Sequence, residues 1–355
     1  MSGVAKAAFF AAMMLGMLCQ ADDTITRLTA AGATFPQPLY ETMIARFMQL
    51  HPDVQINYGG GGSGQGITGI IDKTLAFAGS DAPMNSQELR RAGGADNIIQ
   101  IPSCAGAVVP AYNLPGDPQL NFTGPILADI YLGKIIDWND AQIAAINPGV
   151  SLPDLPITPA YRSDGSGTNF VWSNYLAEQS DDFKTTVGFG KAVEWPLGQG
   201  GAGNPGVAAI VRQTYGAIGY VEQNYADRNG LRYGRVRNKN GQFVAASPDS
   251  VSRAGTSAAG KLSGNVLKAS LWDQPGRDVY PISSFTYLIA YKDLRSARTR
   301  EQAQAVVDFL WFATHDGQVL APGLFYAPLA PEVRGKVEAA LNEFTFQGEA
   351  IHHRD

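Results

Sequence analysis

Apolar and polar positions change period several times along the chain, and each change predicts an element. Residues 28–30 form a short apolar run that predicts a strand. Residues 37–50 place Leu39, Met43, Ile44, Phe47 and Met48 at helical spacing, so an amphipathic helix is expected there. Pro36 suits its first turn and Thr34 its N-cap, and His51-Pro52-Asp53 ends it. Residues 54–58 alternate as a second strand, residues 59–66 are rich in glycine, and a short helix is expected at 67–73. A third strand at 75–80 ends at Asp81-Ala82-Pro83. A helix at 86–91 and separate strands at 98–102 and 107–113 follow.

The second half repeats the alternation. Residues 123–147 read as helix in two pieces, 157–161 as a strand and 170–179 as a helix. Residues 198–206 read as a long glycine-rich loop at a cleft mouth, with a helix opened by Asn204-Pro205 and running to 214. A strand is expected at 217–221. Scattered charge and small residues predict irregular surface structure over 228–264. Residues 281–290 form a strand long enough to cross between domains, and helices are expected at 301–313 and 331–343. Alternation of strand and helix argues for an α/β architecture, in which ligands sit at the carboxyl ends of strands.

The first 21 residues break this pattern. Lys6 is the one charge before Asp22, and residues 7–18 form an apolar run too short to span a bilayer. Cys19 and Ala21 then place small residues at positions −3 and −1 of a cut before Asp22, so residues 1–21 read as a secretory signal peptide. Acylation of Cys19 is the alternative, for which Leu18 is a poor neighbour. The mature chain carries a formal charge of −6 (26 basic against 32 acidic residues) and no basic stripe of the kind nucleic acid needs. Cys104 is then the one remaining cysteine, which precludes an intramolecular disulfide and reads as a small buried apolar residue.

The stretch Tyr161-Arg162-Ser163-Asp164-Gly165-Ser166-Gly167-Thr168 concentrates chemistry between a strand and a helix. A strand–glycine–helix junction aims free backbone N–H groups and the positive end of a helix dipole at one spot, where an anion fits. Two further junctions, at residues 31–35 and 59–66, offer similar groups. The three together predict convergence on one small oxyanion. Enzyme readings fail on the same residues. Ser63-Gly64-Gln65 lacks the second glycine of a nucleophile elbow, no lysine follows the glycine-rich loop, and the four histidines lie far from any candidate serine. No metal-ligand cluster and no cofactor motif is evident.

Several motifs carry a resemblance: Ala31-Gly32-Ala33-Thr34-Phe35-Pro36, residues 58–66 with Ser63, Gly79-Ser80-Asp81-Ala82-Pro83, residues 162–168, Gly216-Ala217-Ile218-Gly219-Tyr220-Val221 and Pro281-Ile282-Ser283. In this order the chain resembles the periplasmic phosphate-binding proteins, the substrate-capture component of bacterial phosphate ABC importers. The resemblance implies a two-lobed periplasmic-binding-protein fold with a hinge and a ligand cleft, no enzymatic activity, a monomer, and a membrane permease as partner. Lobe 1 would comprise residues 22–104 plus 285–355, and lobe 2 residues 105–284. Phosphate contacts would fall to Thr34, Phe35 (through its backbone N–H), Ser63, Asp81, Arg162, Ser166, Gly167 and Thr168, with Asp164 supporting Arg162. Gly61, Gly64 and Gln65 depart from some relatives, which puts the stiffness of that loop in question.

Asp81 carries the selectivity argument. An ionised carboxylate can only accept, so it matches a protonated phosphate oxygen and opposes sulfate, which has no proton at neutral pH. A buried charge without its partner costs roughly 2–5 kcal/mol, or about 30- to several-thousand-fold in affinity. A binder of another tetrahedral oxyanion, or a surface or sensor protein that holds phosphate, remain the competing functions.

Overall fold

The computed structural model describes residues 25–354. The expected signal peptide and the acylation site at Cys19 lie outside the described residues. In chain order the elements are β1 (Thr26–Gly32), α1 (Gln37–Leu50), β2 (Val54–Gly60), α2 (Ser63–Ile71), β3 (Phe77–Ser80), α3 (Ser86–Arg91) and β4 (Ile98–Tyr112). They continue with β5 (Asn121–Phe122), α4 (Gly124–Tyr131), α5 (Ala141–Ala145), β6 (Thr158–Arg162), α6 (Gly167–Gln179), α7 (Asp181–Thr186), β7 (Gln199–Gly201) and α8 (Gly203–Gln213). The remainder comprises β8 (Ala217–Glu222), α9 (Gln223–Arg228), β9 (Arg232–Tyr233), β10 (Arg235–Arg237), β11 (Phe243–Val244), α10 (Pro248–Ala258) and β12 (Ser283–Tyr291). The last elements are α11 (Arg300–Thr314), α12 (Pro331–Leu341), β13 (Thr345–Phe346) and β14 (Glu349–Ala350).

The main sheet runs β2-β1-β3-β12-β4-β8-β6-β7. Parallel pairs, β1 with β2 and β3 on one side and β6 with β7 and β8 on the other, flank two long antiparallel strands. Strand β4 joins the two sides. Up to Ala107 it pairs with β12, and from Val108 to Tyr112 it pairs with β8. All fifteen residues of β4 are buried in one continuous strand, where the sequence read as two. Pro102-Ser103-Cys104 interrupts the apolar pattern, and the chain absorbs the interruption as a register shift opposite Thr286–Tyr287 rather than as a break. Cys104 is fully buried and free, as the sequence suggested.

Each side of the sheet has its own aromatic packing. Phe309 of α11 stacks on Phe77 at 5.1 Å and meets Phe47 of α1 edge-on at 5.4 Å. On the other side Trp172 of α6 stacks on Tyr220 of β8 at 5.1 Å, with Tyr131 and Trp195 against the same ring. This second cluster holds the end of β6. The Tyr220 hydroxyl accepts from the Arg162 backbone N–H at 2.9 Å and donates to Asn169 Oδ1 at 2.5 Å.

Three local expectations are corrected. Thr34 is not the N-cap of α1, because Pro36 occupies that place without a side-chain cap. The Thr34 hydroxyl is engaged elsewhere, as described below. Residues 198–206 are not one open loop: Gln199–Gly201 pairs in parallel with β6, and the next helix begins at Gly203. Glycine content misled there, because β7 is a three-residue edge strand whose pairing is set by β6. Residues 228–264 are not irregular either. They contain β9, β10 and β11 and the helix α10, which has a capping box between Ser247 and Ser250. Strands of two or three residues leave too little periodicity to read.

Candidate anion-binding site

The three glycine-bearing junctions meet. Gly64 donates its N–H to the Gly165 carbonyl at 2.8 Å, which ties the start of α2 to the start of α6. A Cβ on Gly167 would run into the Ser63 hydroxyl and the Asp81 carboxylate, so this glycine is what lets the 162–168 loop approach β3. Gly62 has φ 89°, and a Cβ there would meet Asp164 and the Gly165 carbonyl, so it is glycine on two counts. The N–H groups of Gly61 and Gly62 both reach the Gly32 carbonyl at 2.9 Å, which holds the glycine-rich turn despite its composition.

Four hydroxyls line this junction, and each accepts a hydrogen bond from the protein. Thr34 Oγ1 accepts from the backbone N–H and from Nδ2 of Asn204, at 3.1 and 3.0 Å. Ser63 Oγ accepts from the Asp81 N–H at 3.1 Å, and Ser166 Oγ caps α6 by accepting from Asn169 at 3.0 Å. Thr168 Oγ1 accepts from Arg162 Nη1 and from Asn204 Nδ2, both at 3.1 Å. A hydroxyl has one proton and two lone pairs. Both lone pairs of Thr34 and of Thr168 are engaged, and one each of Ser63 and Ser166, so every one of the four keeps its proton to donate. Apart from the Gly64 N–H, taken by Gly165, and the Asn169 N–H, taken by Ser166, the first N–H groups of α2 and α6 lack intrahelical acceptors by helix geometry and add donors at the same place. Ser63, Ser166 and Thr168 are completely buried, and Thr34 is 6% exposed.

One fixed cation and two carboxylates complete the set. Arg162 Nε and Nη2 hold Asp164 Oδ1 and Oδ2 at 2.7 and 2.5 Å, a two-pronged pair. Of the five guanidinium N–H bonds, two go to Asp164 and one to Thr168, leaving two for a ligand. Burial works against the Asp164 charge, yet the hydrogen bonds and charge of Arg162 and the Gly203 N–H hold its carboxyl below the usual range. Asp81 differs. Burial pushes its carboxyl up to about 7, Asp164 adds to the rise, and the Thr286 hydroxyl and the Arg162 charge oppose it. Thr286 donates to Oδ1 at 2.8 Å, while Oδ2 faces Gly167.

All the residues singled out from the sequence therefore sit at one junction. Phe35 is there through its backbone, since its ring is buried against Tyr326. Two participants were missed. Asn204 bridges Thr34 and Thr168 and also accepts from the Glu222 N–H at 2.9 Å. Thr286 orients Asp81 across 205 residues of chain. The glycine-rich context of Asn204 had marked its region for the cleft, and nothing local marked Thr286. His51, His315 and His353 stack on Phe47 or Trp311, away from this junction. Among the described residues no group of three or more His, Cys, Asp or Glu could hold a metal, and no helix is long and apolar enough to cross a membrane.

Residues 20–313 match the PBP superfamily domain. The phosphate-binding protein PstS of Pasteurella multocida is 40% identical over 333 residues, 92% of this chain and 94% of that protein. The PstS of Xylella fastidiosa is 40% identical over 317 residues, covering 88% and 84%. The chain belongs to the PstS family of the PBP superfamily. Among solved structures, a high affinity periplasmic phosphate-binding protein, PfluDING, superposes with a TM-score of 0.69 at 22% identity, over 88% of this chain and 93% of that one. The phosphate-binding protein of Stenotrophomonas maltophilia gives 0.67 at 19% identity over the same share of each chain. These likenesses show the two-lobed α/β fold of periplasmic binding proteins, as the resemblance implied.

Proposed function

We propose that this chain binds one inorganic phosphate at the junction of the three loops and delivers it to the membrane permease of an ABC importer. The carrying observation is the polarity of the hydroxyls: Thr34, Ser63, Ser166 and Thr168 each accept from the protein and keep a proton for the ligand. A tetrahedral oxyanion has the acceptor lone pairs to take these donors, the free backbone N–H groups and the two remaining N–H bonds of Arg162. Asp164 neutralises Arg162, so dipoles and neutral donors supply much of the binding and release stays feasible. Oδ2 of Asp81, beside Gly167, is the acceptor that faces the phosphate hydroxyl in this reading. Thr34, Phe35, Ser63, Asp81, Arg162, Ser166, Gly167 and Thr168 are the contact residues in this reading, with Asp164 in support.

The names of the relatives support phosphate as ligand, a role in binding rather than catalysis, and a periplasmic location. We infer lobes of residues 22–104 plus 285–355 and residues 105–284. The change of partner along β4, from β12 to β8 at residues 107–108, supports a boundary near there. The protein acts as a monomer in this reading.

Calorimetric titration of the mature protein, stripped of ligand, tests the proposal. Phosphate should bind tightly at one-to-one stoichiometry, and sulfate should give negligible heat at pH 8. Equal binding of the two would remove the role of Asp81 in selectivity, and no phosphate binding would overturn the function.

A further inference from the structure

The peptide units on either side of Phe35 are held from behind by two tyrosines distant in sequence. Tyr225, on α9, donates its hydroxyl to the Thr34 carbonyl at 2.7 Å. Tyr326 donates to the Phe35 carbonyl at 2.6 Å. The Thr34 carbonyl and the Phe35 N–H belong to one planar trans peptide and point in opposite directions. Holding the carbonyl therefore aims the N–H, and this N–H has no acceptor among the described residues. The second carbonyl fixes the rotation of the following unit, whose nitrogen belongs to Pro36.

A proton count then fixes the state of a third residue. Tyr326 Oη lies 3.0 Å from Glu222 Oε2 as well as 2.6 Å from the Phe35 carbonyl. A phenol has one proton, and a carbonyl can only accept. If Tyr326 gives its proton to Phe35, the contact with Glu222 needs a proton from the carboxyl. Oε2 also accepts from the Asn224 N–H at 3.0 Å, and Oε1 has no partner among the described residues. An ionised carboxylate here would leave a buried charged oxygen unsatisfied.

We propose that Tyr225 and Tyr326 are positioning residues for the anion site, aiming the Phe35 N–H, and that they do so with Glu222 as a neutral, proton-donating acid. The surroundings agree. Glu222 is completely buried, and burial pushes its carboxyl well above the usual range. The titratable groups that bear on it are Asp81, Asp227, Cys104, Tyr225, Tyr233 and Tyr326, each negative or neutral in any protonation state. Loss of the Glu222 proton at alkaline pH would set the carboxylate and the Phe35 carbonyl in competition for one phenol proton. It would loosen the loop on the face opposite the ligand.

The inference rests on the phosphate reading, and the test separates the two. Tyr225→Phe and Tyr326→Phe should each raise the phosphate Kd about tenfold at pH 6.5, mainly through faster release. This is the scale of one lost hydrogen bond. With its amide nitrogen in the place of Oε2, Glu222→Gln can donate to Tyr326 but gives up the acceptor of the Asn224 N–H. It should bind within about threefold of wild type at pH 6.5 and should keep its affinity better than wild type at pH 9. Glu222→Ala should bind at least tenfold more weakly. If Glu222→Gln is as weak as Glu222→Ala, or if both phenylalanine variants bind as wild type does, the proposal is overturned. Should wild type itself take up no phosphate, the function reading fails, and hydrogen exchange of the Phe35 amide in the two phenylalanine variants decides the positioning. Faster exchange supports it and unchanged exchange overturns it.

Discussion

Asp81 works against stability and for selectivity. In the unfolded chain its carboxyl titrates near 3.8, and in the folded protein burial moves it to about 7. The folded state thus holds the extra proton between those values. Its contribution to stability is fully present below about pH 4 and is lost as pH rises through about 7. Asp81→Asn removes this loss and can still accept from Thr286. Ligand-free Asp81→Asn should therefore melt above wild type at pH 8, with the difference shrinking at pH 5. The same variant offers an N–H where wild type offers a lone pair, so its phosphate preference over sulfate at pH 8 should fall by about 30-fold or more. Thermal melts at the two pH values and paired titrations check both statements. A preserved preference would discard the role of Asp81.

Among the elements, α8 has the largest gap between its sequence and its use. Its second residue, Asn204, is buried and ties Thr34 on one junction to Thr168 on another. Asn204→Ala would leave the Glu222 N–H without its acceptor and both hydroxyl oxygens short of a donor. A lost buried partner costs about 1–3 kcal/mol, so phosphate affinity should fall by about 5- to 150-fold. Asn204→Asp keeps the acceptor but adds charge beside the anion, so it should bind more weakly still. Titration of the two variants in parallel tests the order. If Asn204→Asp binds better, the donors from Asn204 are not what orients the hydroxyls. The contrast with α1 is instructive. Its apolar spacing gave its limits directly, whereas the start of α8 depends on a carboxylate, Asp164, that receives the Gly203 N–H at 3.0 Å from 39 residues away.

Across the whole molecule, polar ties join the two sides of the sheet, and one of them reaches the anion loop. Lys191 forms an ion pair with Glu88 of α3, and the Lys191 carbonyl accepts from the Ser166 N–H at 2.8 Å. Both side chains are partly exposed, at 19% and 15%. The other oxygen of Glu88 accepts from the Asn85 N–H in the capping box of α3. Glu88→Gln preserves that box, since glutamine serves there equally, and removes the charge pairing. It should raise the phosphate off-rate by a few-fold, in line with about 1 kcal/mol for a partly exposed pair. Scattering should show compaction of wild type on adding phosphate, with less compaction in the variant at equal phosphate. An unchanged off-rate would mean that the pair follows closure without supporting it.

Much of this protein was legible in its sequence because local rules govern it. The limits of α1 and α3, the loops at 31–36, 59–66 and 162–168, and the Arg162–Asp164 pair two residues apart all depend on neighbours in the chain. Strand–glycine–helix junctions are short, and their backbone chemistry does not wait for the rest of the fold. Tertiary structure alone decided which groups stand behind them. The continuity of β4 depends on β12, the short strands after residue 228 depend on their partners, and Thr34 lost a capping role to Asn204, 170 residues away. Hydrogen-bond direction at a hydroxyl, and the protonation of Asp81 and Glu222, depend on burial and on partners brought from distant sequence. Those are properties of a packed interior, and no local pattern encodes them.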